Sequence, residues 1–421
     1  MKVVPKITRT EITLEAPPSK AHTLRALFLA ALADGRSTIH KPLLGDDQYR
    51  AIECLQRLGV NTSIGPSALV VDGRGGKFSP ISDELDVGES GVGMNFLTAL
   101  SCLSTRPVTI TGAPRITERP ISEIVNGLRQ LGCRIDYLAR DGFPPVRVHG
   151  GGISGGTACI RGATTSQYFS AILAAAPYAD TPVQLDCAGP MSEKPYLEIT
   201  LAMMADAGVL VKCEDYARFL VPGGQRYSAR EICIEGDFSS ASFFFQAAAI
   251  CGIGVTVKGL NPDSVQGDKR FLSLLRQMGC EVAFLGNRVT VWGGSLIGLE
   301  ADMSDTPDLA PPLAVAAAFA KGATRLTNIG HLRHKECDRL AVTVLGLNSM
   351  GARASCDEDS INIEGSHPLH GTEIDPHNDH RIAMAFATAG LAVGNQTILN
   401  EGCVAKSFPD FWEKLDEMAN G

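Results

Sequence analysis

One pattern recurs six times along these 421 residues, and nothing else in the chain restricts its fold as strongly. Each copy begins as a loop of polar or small residues and runs into an Ala/Leu/Phe-rich helical stretch. In order they are SKAHTLRALFLAALA, ESGVGMNFLTALSCL, TTSQYFSAILAAAPYA, FSSASFFFQAAAICG, TPDLAPPLAVAAAFAKG and HNDHRIAMAFATAGLAVG. Their starts lie roughly 70 residues apart, a longer period than common solenoids have. A strand-like run behind turn residues follows each one, from GRSTIHKPL in the first to GNQTILNEG in the last. A second, amphipathic helix comes next, from YRAIECLQRLGV to FPDFWEKLDEMAN; in the first five copies a glycine stands where a C′ stop belongs. Alternating segments such as EVAFLGNRVTVWG predict strands over the rest of each unit.

Helices alternating with strands place the chain in the α/β class, and its length exceeds one ordinary core, so two domains are expected. With 44% hydrophobic and 20% charged residues it has the composition of a globular protein. The net charge of −8 argues against a polyanion-binding surface but leaves room for a local basic pocket. Twelve cysteines are scattered without a C-x-x-C pair or a short-range Cys/His grouping, so zinc-site spacing is absent and no disulfide framework is expected. MKVVPKITRTEITLEAPP has no apolar signal core, and ASFFFQAAAICGIGVTV is too short and too interrupted to span a membrane. These features give an expectation of a cytoplasmic protein without nucleic-acid or membrane partners.

The first helix of each repeat is apolar nearly all round and should be buried. Its polar residues gather at the N-terminal end, where free backbone N–H groups and the helix dipole favour an anion. In one copy alone such residues are most simply N-caps. Six such ends, four of them with Lys20, Arg25, Ser166, Gln167, Asp308 and Arg381 in or near them, favour a shared anion-binding cleft.

Basic loops reinforce that reading: PSKAHTLR, PRITERP, RHKECDR, NDHR and VAKSFPD each stand where a helix should begin. Arginine offers a planar fork to carboxylate or phosphate, and lysine a compact charge. Asp308 and Glu336 would sit among these cations and could exchange protons with a bound hydroxyl or carbon. A phosphate-bearing substrate fits, since the chain has neither a P-loop nor a convincing dinucleotide fingerprint.

The set PSKAHTLRAL, GAPRITERPI, TTSQYFSAIL, EKPYLEIT, EGDFSSASFF, SVQGDKRF, RHKECDRL, NDHRIAMAF and CVAKSFPDFW, in that order, resembles the 5-enolpyruvylshikimate-3-phosphate synthases from end to end. The resemblance implies two similar domains, each of three βαβαββ-type repeats, in an inside-out α/β barrel. Residues 20–235 would form one; residues 1–19 and 236–421 would form the other. It implies enolpyruvyl transfer from phosphoenolpyruvate to the 5-hydroxyl of shikimate 3-phosphate, with phosphate released, on the route to chorismate and aromatic amino acids. No cofactor or metal is called for, and a monomer is expected.

Carried over residue by residue, the resemblance gives phosphoenolpyruvate to Lys20, Gly91, Arg119, Gln167, Arg339, Arg381 and Lys406. Shikimate 3-phosphate falls to Arg25, Thr165, Ser166, Gln167, Ser192, Tyr196, Asp308 and Lys335. Asp308 would take the proton of the attacking hydroxyl, Glu336 with Lys20 would handle the proton at the methylene carbon, and His380 would support them. The chain departs from the pattern at Ala21, where serine is usual. It departs again in GESGVGMNFL, where Glu89, Val92, Asn95 and Phe96 replace the family's usual residues around a retained Gly91. Three rivals follow: an enolpyruvyl transferase with another hydroxylated acceptor, a non-catalytic protein binding phosphorylated metabolites, and a purely scaffolding repeat protein.

Overall fold

The computed structural model describes residues 1–420. The chain divides into two compact units: Met1–Ser19 together with the chain from Glu235 onward, and Lys20–Ile234. Each encloses its own apolar core. Glu235 groups with the first unit because its carbonyl accepts from Ser19 N and its carboxylate from Gln266 Nε2, at 2.8 and 2.7 Å.

The second repeat shows the plan that the first five share. Strand Glu84–Asp86 leads to helix Gly91–Ser101, strand Val108–Thr111 and helix Ser122–Gln130, then to the hairpin strands Ile135–Tyr137 and Val146–Val148. The first two strands pair in parallel, and the hairpin adds antiparallel to the second. Two parallel strands with crossover helices have a simple consequence. Both helices of a repeat start at the carboxyl end of the parallel pair, so their N-termini share one end of the sheet, where ligands of α/β proteins gather.

The leading helices are buried as their composition requires: all nine residues of Ala310–Ala318 are buried. Strands alternate, as in Glu11–Glu15, where only Ile12 and Leu14 face the core. The sheets are separate, with three or four strands each, and none closes into a barrel among the described residues. The inside-out character lies in helices occupying the interior. The five expected helix stops, Gly59, Gly132, Gly208, Gly279 and Gly351, all have φ between 88° and 105°, a region open to glycine at no steric cost.

Two repeats borrow their leading strand from a distant part of the chain. Glu231–Cys233 runs parallel to Thr38–His40, and Glu11–Glu15 parallel to Gly254–Lys258. The sixth repeat departs from expectation: among the described residues no hairpin follows its second helix, Phe411–Asn420. Lys2–Val4 instead covers the exposed edge of Gln396–Ile398, pairing antiparallel to it in a three-stranded sheet.

Candidate active site

Within the unit containing Glu235 onward, five helix starts and the turn Glu401–Lys406 contribute polar groups to one buried network. Arg339, 2% exposed, opens helix Arg339–Ser349. Its three nitrogens donate to three different carboxylates: Nε to Asp379 at 2.6 Å, Nη1 to Asp308 at 2.8 Å and Nη2 to Glu336 at 2.9 Å. Arg381 Nη2 donates to the other oxygen of Asp308 at 2.7 Å, and Lys406 Nζ to the other oxygen of Glu336 at 2.7 Å. The result is a line of alternating charge, Lys406–Glu336–Arg339–Asp308–Arg381, buttressed by Asp379.

Local sequence explains how these groups are held. Asp379 caps helix His380–Val393 by accepting from Arg381 N and Ile382 N with one oxygen, which leaves the other for Arg339. Asp338 caps the next helix by accepting from Ala341 N, and its second oxygen accepts from Arg333. Arg381 Nη1 donates to Ser239 Oγ at 2.7 Å, in the first turn of helix Phe238–Cys251. Asp268, from the start of the fourth repeat's second helix, completes the set.

Burial opposes the charge on Arg339, but Asp379, Glu336 and Asp308 together hold its pKa well above the ordinary arginine range. Asp268 behaves in the opposite sense. Burial, with Asp308 adding to it, pushes its carboxyl up to about 6 against the pull of Arg381 and a hydrogen bond with Ser239. Its neighbour Asp237 adds to the rise.

The unit spanning Lys20–Ile234 gathers its own six helix starts. Lys20 Nζ pairs with the buried Asp47 at 2.7 Å. Gly91 lies directly under Arg119, since a Cβ at residue 91 would stand 2.6 Å from Arg119 Nη2. Asn95 Nδ2 donates to Gln167 Oε1 at 3.2 Å. Thr165 donates its hydroxyl to the Glu193 carboxylate, and Ser166 Oγ donates to the Glu193 carbonyl at 2.8 Å. Arg25, 1% exposed, donates to Thr200 Oγ1 at 2.7 Å, to Tyr196 O at 2.9 Å and to Ala21 O at 3.1 Å. Burial lowers its pKa to about 10, so it stays charged at neutral pH.

These two groupings are cation-rich, backed by helix N-termini, and supplied with carboxylates able to move protons. A family model described as EPSP synthase (3-phosphoshikimate 1-carboxyvinyltransferase) matches residues 4–415. The chain belongs to the EPSP synthase family. A relative named 3-phosphoshikimate 1-carboxyvinyltransferase from Methanoregula boonei is 44% identical over 417 residues, covering 99% of each chain. One of the same name from Cronobacter sakazakii is 39% identical over 418 residues, covering 98% of this chain and 97% of its own. The solved EPSP synthase from Acinetobacter baumannii superposes with a TM-score of 0.82 at 28% identity, over 99% of this chain and 97% of that one.

Within the family's frame, each unit brings together most of the residues expected of it. Asp308, Glu336, Arg339, Arg381 and Lys406 are joined directly, and His380 is buried beside them in sequence at 2% exposure. Lys335 is buried at the end of the turn Gly330–His334. Lys20, Gly91, Arg119, Arg25, Tyr196, Gln167, Thr165 and Ser166 all take part in the pairings above. Ser192 is tied in through its backbone, donating to Gly162 O at 3.2 Å.

Sequence reasoning missed Asp379, Asp47, Glu193 and Asp268. For Asp379 a signal existed, because an aspartate just before an apolar helix is an N-cap. Glu193 gave none: it occupies the left-handed region at φ 59°, which a glutamate rarely signals. Phe96 is fully buried, stacked on Phe28 at 5.0 Å, with the Arg25 guanidinium 5.9 Å from its ring centre.

Proposed function

We propose that this protein transfers the enolpyruvyl group of phosphoenolpyruvate to the 5-hydroxyl of shikimate 3-phosphate and releases inorganic phosphate. The observation that carries this reading is the alternating line from Lys406 to Arg381. Two anionic substrates need cations, and the chemistry needs two proton-transfer groups; binding alone does not require Asp308 and Glu336.

Glu336, assisted by Lys20, delivers a proton to the methylene carbon of phosphoenolpyruvate, which leaves the adjacent carbon cationic. The acceptor hydroxyl adds there as Asp308 takes its proton. The resulting tetrahedral centre then expels phosphate, and its methyl group returns a proton to the Glu336 carboxylate to restore the double bond. Lys20, Arg119, Gln167, Arg339, Arg381, Lys406 and the Gly91 backbone hold the phosphoenolpyruvate anion. Thr165, Ser166, Ser192 and Lys335 take the acceptor's phosphate, with Arg25 and Tyr196 near its carboxylate and ring, and His380 supporting the proton transfers.

The unliganded pairing suits this scheme. Each cation of the line is neutralised by a catalytic carboxylate, so an arriving anion competes for the same N–H groups. A carboxylate that loses its cationic partner gains proton affinity. Ligand binding thus readies Asp308 and Glu336 for proton transfer.

Each unit having its own core supports a monomer, and twelve cysteines outside any disulfide among the described residues support a reducing, cytoplasmic location. No helix among the described residues is long and apolar enough to cross a membrane. A second reading, transfer to a different hydroxylated acceptor, is favoured by Ala21 and Asn95, which remove a hydroxyl and a positive charge. Phosphate release from phosphoenolpyruvate, with and without shikimate 3-phosphate and with Asp308→Ala as control, tests both. Release that needs shikimate 3-phosphate and vanishes in the variant supports the first reading. Binding without release supports the second.

A further inference from the structure

Helix Gly91–Ser101 carries none of the arginines or lysines of its unit, yet it touches three of the proposed ligand groups. Gly91 lies under Arg119, Phe96 lies under Arg25, and Asn95 bonds Gln167. Gly91 and Asn95 are four residues apart and share a helix face. Asn95 is 4% exposed, and its Oδ1 accepts no hydrogen bond among the described residues.

That lone unsatisfied oxygen defines how the two amides are oriented. Exchanging oxygen and nitrogen on both would leave the Asn95 NH2 as the orphan. A buried N–H without a partner is the rarer and costlier arrangement, and a spare carbonyl lone pair is tolerated better. Asn95 therefore donates and Gln167 Oε1 accepts. Gln167, half-buried at the first position of helix Gln167–Ala175, is left with its NH2 for another acceptor. An anion is what such a donor at a helix N-terminus would meet.

We infer that Asn95 is a positioning residue which locks the Gln167 amide with its donor side toward the phosphoenolpyruvate anion. This rests on the proposed function above. Without Asn95 the Gln167 amide is free to turn its oxygen toward the ligand, and a carboxylate at position 95 would favour that reversal. The consequence is a loss of anion binding with the chemistry retained, which appears in KM rather than in kcat.

The test is a double-mutant cycle in steady-state phosphate release, using Asn95→Ala, Asn95→Asp and Asn95→Ser, each alone and with Gln167→Ala. Asn95→Ala is expected to raise KM for phosphoenolpyruvate about 3- to 10-fold with kcat within about 3-fold, and Asn95→Asp to raise KM about 30-fold or more. Asn95→Ser, which keeps a donor, should lie nearer wild type than Asn95→Ala. On the Gln167→Ala background each effect should shrink to within about 2-fold. An Asn95→Asp penalty undiminished on that background would mean simple charge repulsion and overturn the inference. So would an Asn95→Ala protein with wild-type KM. If Asn95→Asp does not fold, the Ala and Ser proteins decide by the same criterion. If the wild-type protein releases no phosphate, the functional reading has failed. The same variants titrated calorimetrically with phosphoenolpyruvate would then judge Asn95 alone, with Kd replacing KM.

Discussion

Arg339 and Asp308 are joined by an ion pair of 2.8 Å, with the arginine 2% exposed and Arg381 on the other oxygen of the same carboxylate. Two of the cations proposed to hold phosphoenolpyruvate are therefore bound to the group proposed to take the acceptor's proton. Removing Asp308 should separate binding from catalysis. Asp308→Ala is expected to lower kcat about 10²- to 10⁴-fold. Its thermal midpoint should fall, because two guanidinium groups lose a partner, and phosphoenolpyruvate or inorganic phosphate should restore much of it. A variant that keeps turnover, or that no anion stabilises, would contradict this arrangement.

Asp379 has two jobs, so its replacements should differ. Asp379→Ala removes both the helix cap and a carboxylate facing buried Arg339, and should cost about 3–5 kcal/mol in urea unfolding. Asp379→Asn retains a capping oxygen and should be less damaging by about 1 kcal/mol. Equal losses in the two variants would show that the cap contributes nothing.

Gly91→Ala should impair function without impairing the fold. Its φ is not in the left-handed region, and alanine favours a helix over glycine by about 1 kcal/mol. The new Cβ, however, would stand 2.6 Å from Arg119 Nη2 and displace it. Urea midpoints equal to or above wild type, with KM for phosphoenolpyruvate raised about 10-fold, are the expected pair of results.

Asp268 makes stability fall with rising pH. Its folded pKa of about 6 lies above the unfolded value of 3.8, so its contribution is fully present below pH 3.8 and is lost as pH rises through about 6. The groups facing it are Asp308, Asp237, Arg381 and Ser239. Asp268→Asn, which is neutral throughout, should gain on wild type by about 1 kcal/mol between pH 5 and pH 8. Unfolding curves at those two pH values check it, and a constant difference between the proteins would remove Asp268 as the cause.

Thiol chemistry should divide the cysteines. Cys159, Cys213 and Cys233 are exposed and should react with a maleimide in the native protein. Burial pushes Cys54 up to about 12 and Cys280 up to about 11, so both should react only after unfolding. Cys337 lies within the charged stretch RHKECDRL; burial, then Asp379, raises its pKa, and it should be equally inert. Mass spectrometry of labelled peptides reads all of these.

The six repeats, their buried leading helices and the five glycine stops were legible because each depends on local periodicity. Apolar residues all round a helix can only be buried, and a glycine just past a helix end meets the need for positive φ. The basic loops were legible as a set for a related reason: both helices of a repeat start at the same end of a parallel pair, so their N-terminal residues share that end. The pairing of Lys2–Val4 with Gln396–Ile398 was not legible, since the two segments lie far apart in the sequence.

The sequence by itself determined which residues carry charge at helix starts, and through the family resemblance it named most of them. Only the tertiary structure decided their partners. Arg339 finds Asp379 at 40 residues' separation, Lys406 finds Glu336 at 70 and Arg381 finds Ser239 at 142. Asn95 reaches Gln167 across 72. Periodicity reports which face of an element leaves water, and it is the same whichever neighbour covers that face. The partner of a buried charge is set by which helix ends the packed repeats bring within hydrogen-bonding distance, and that depends on the whole chain.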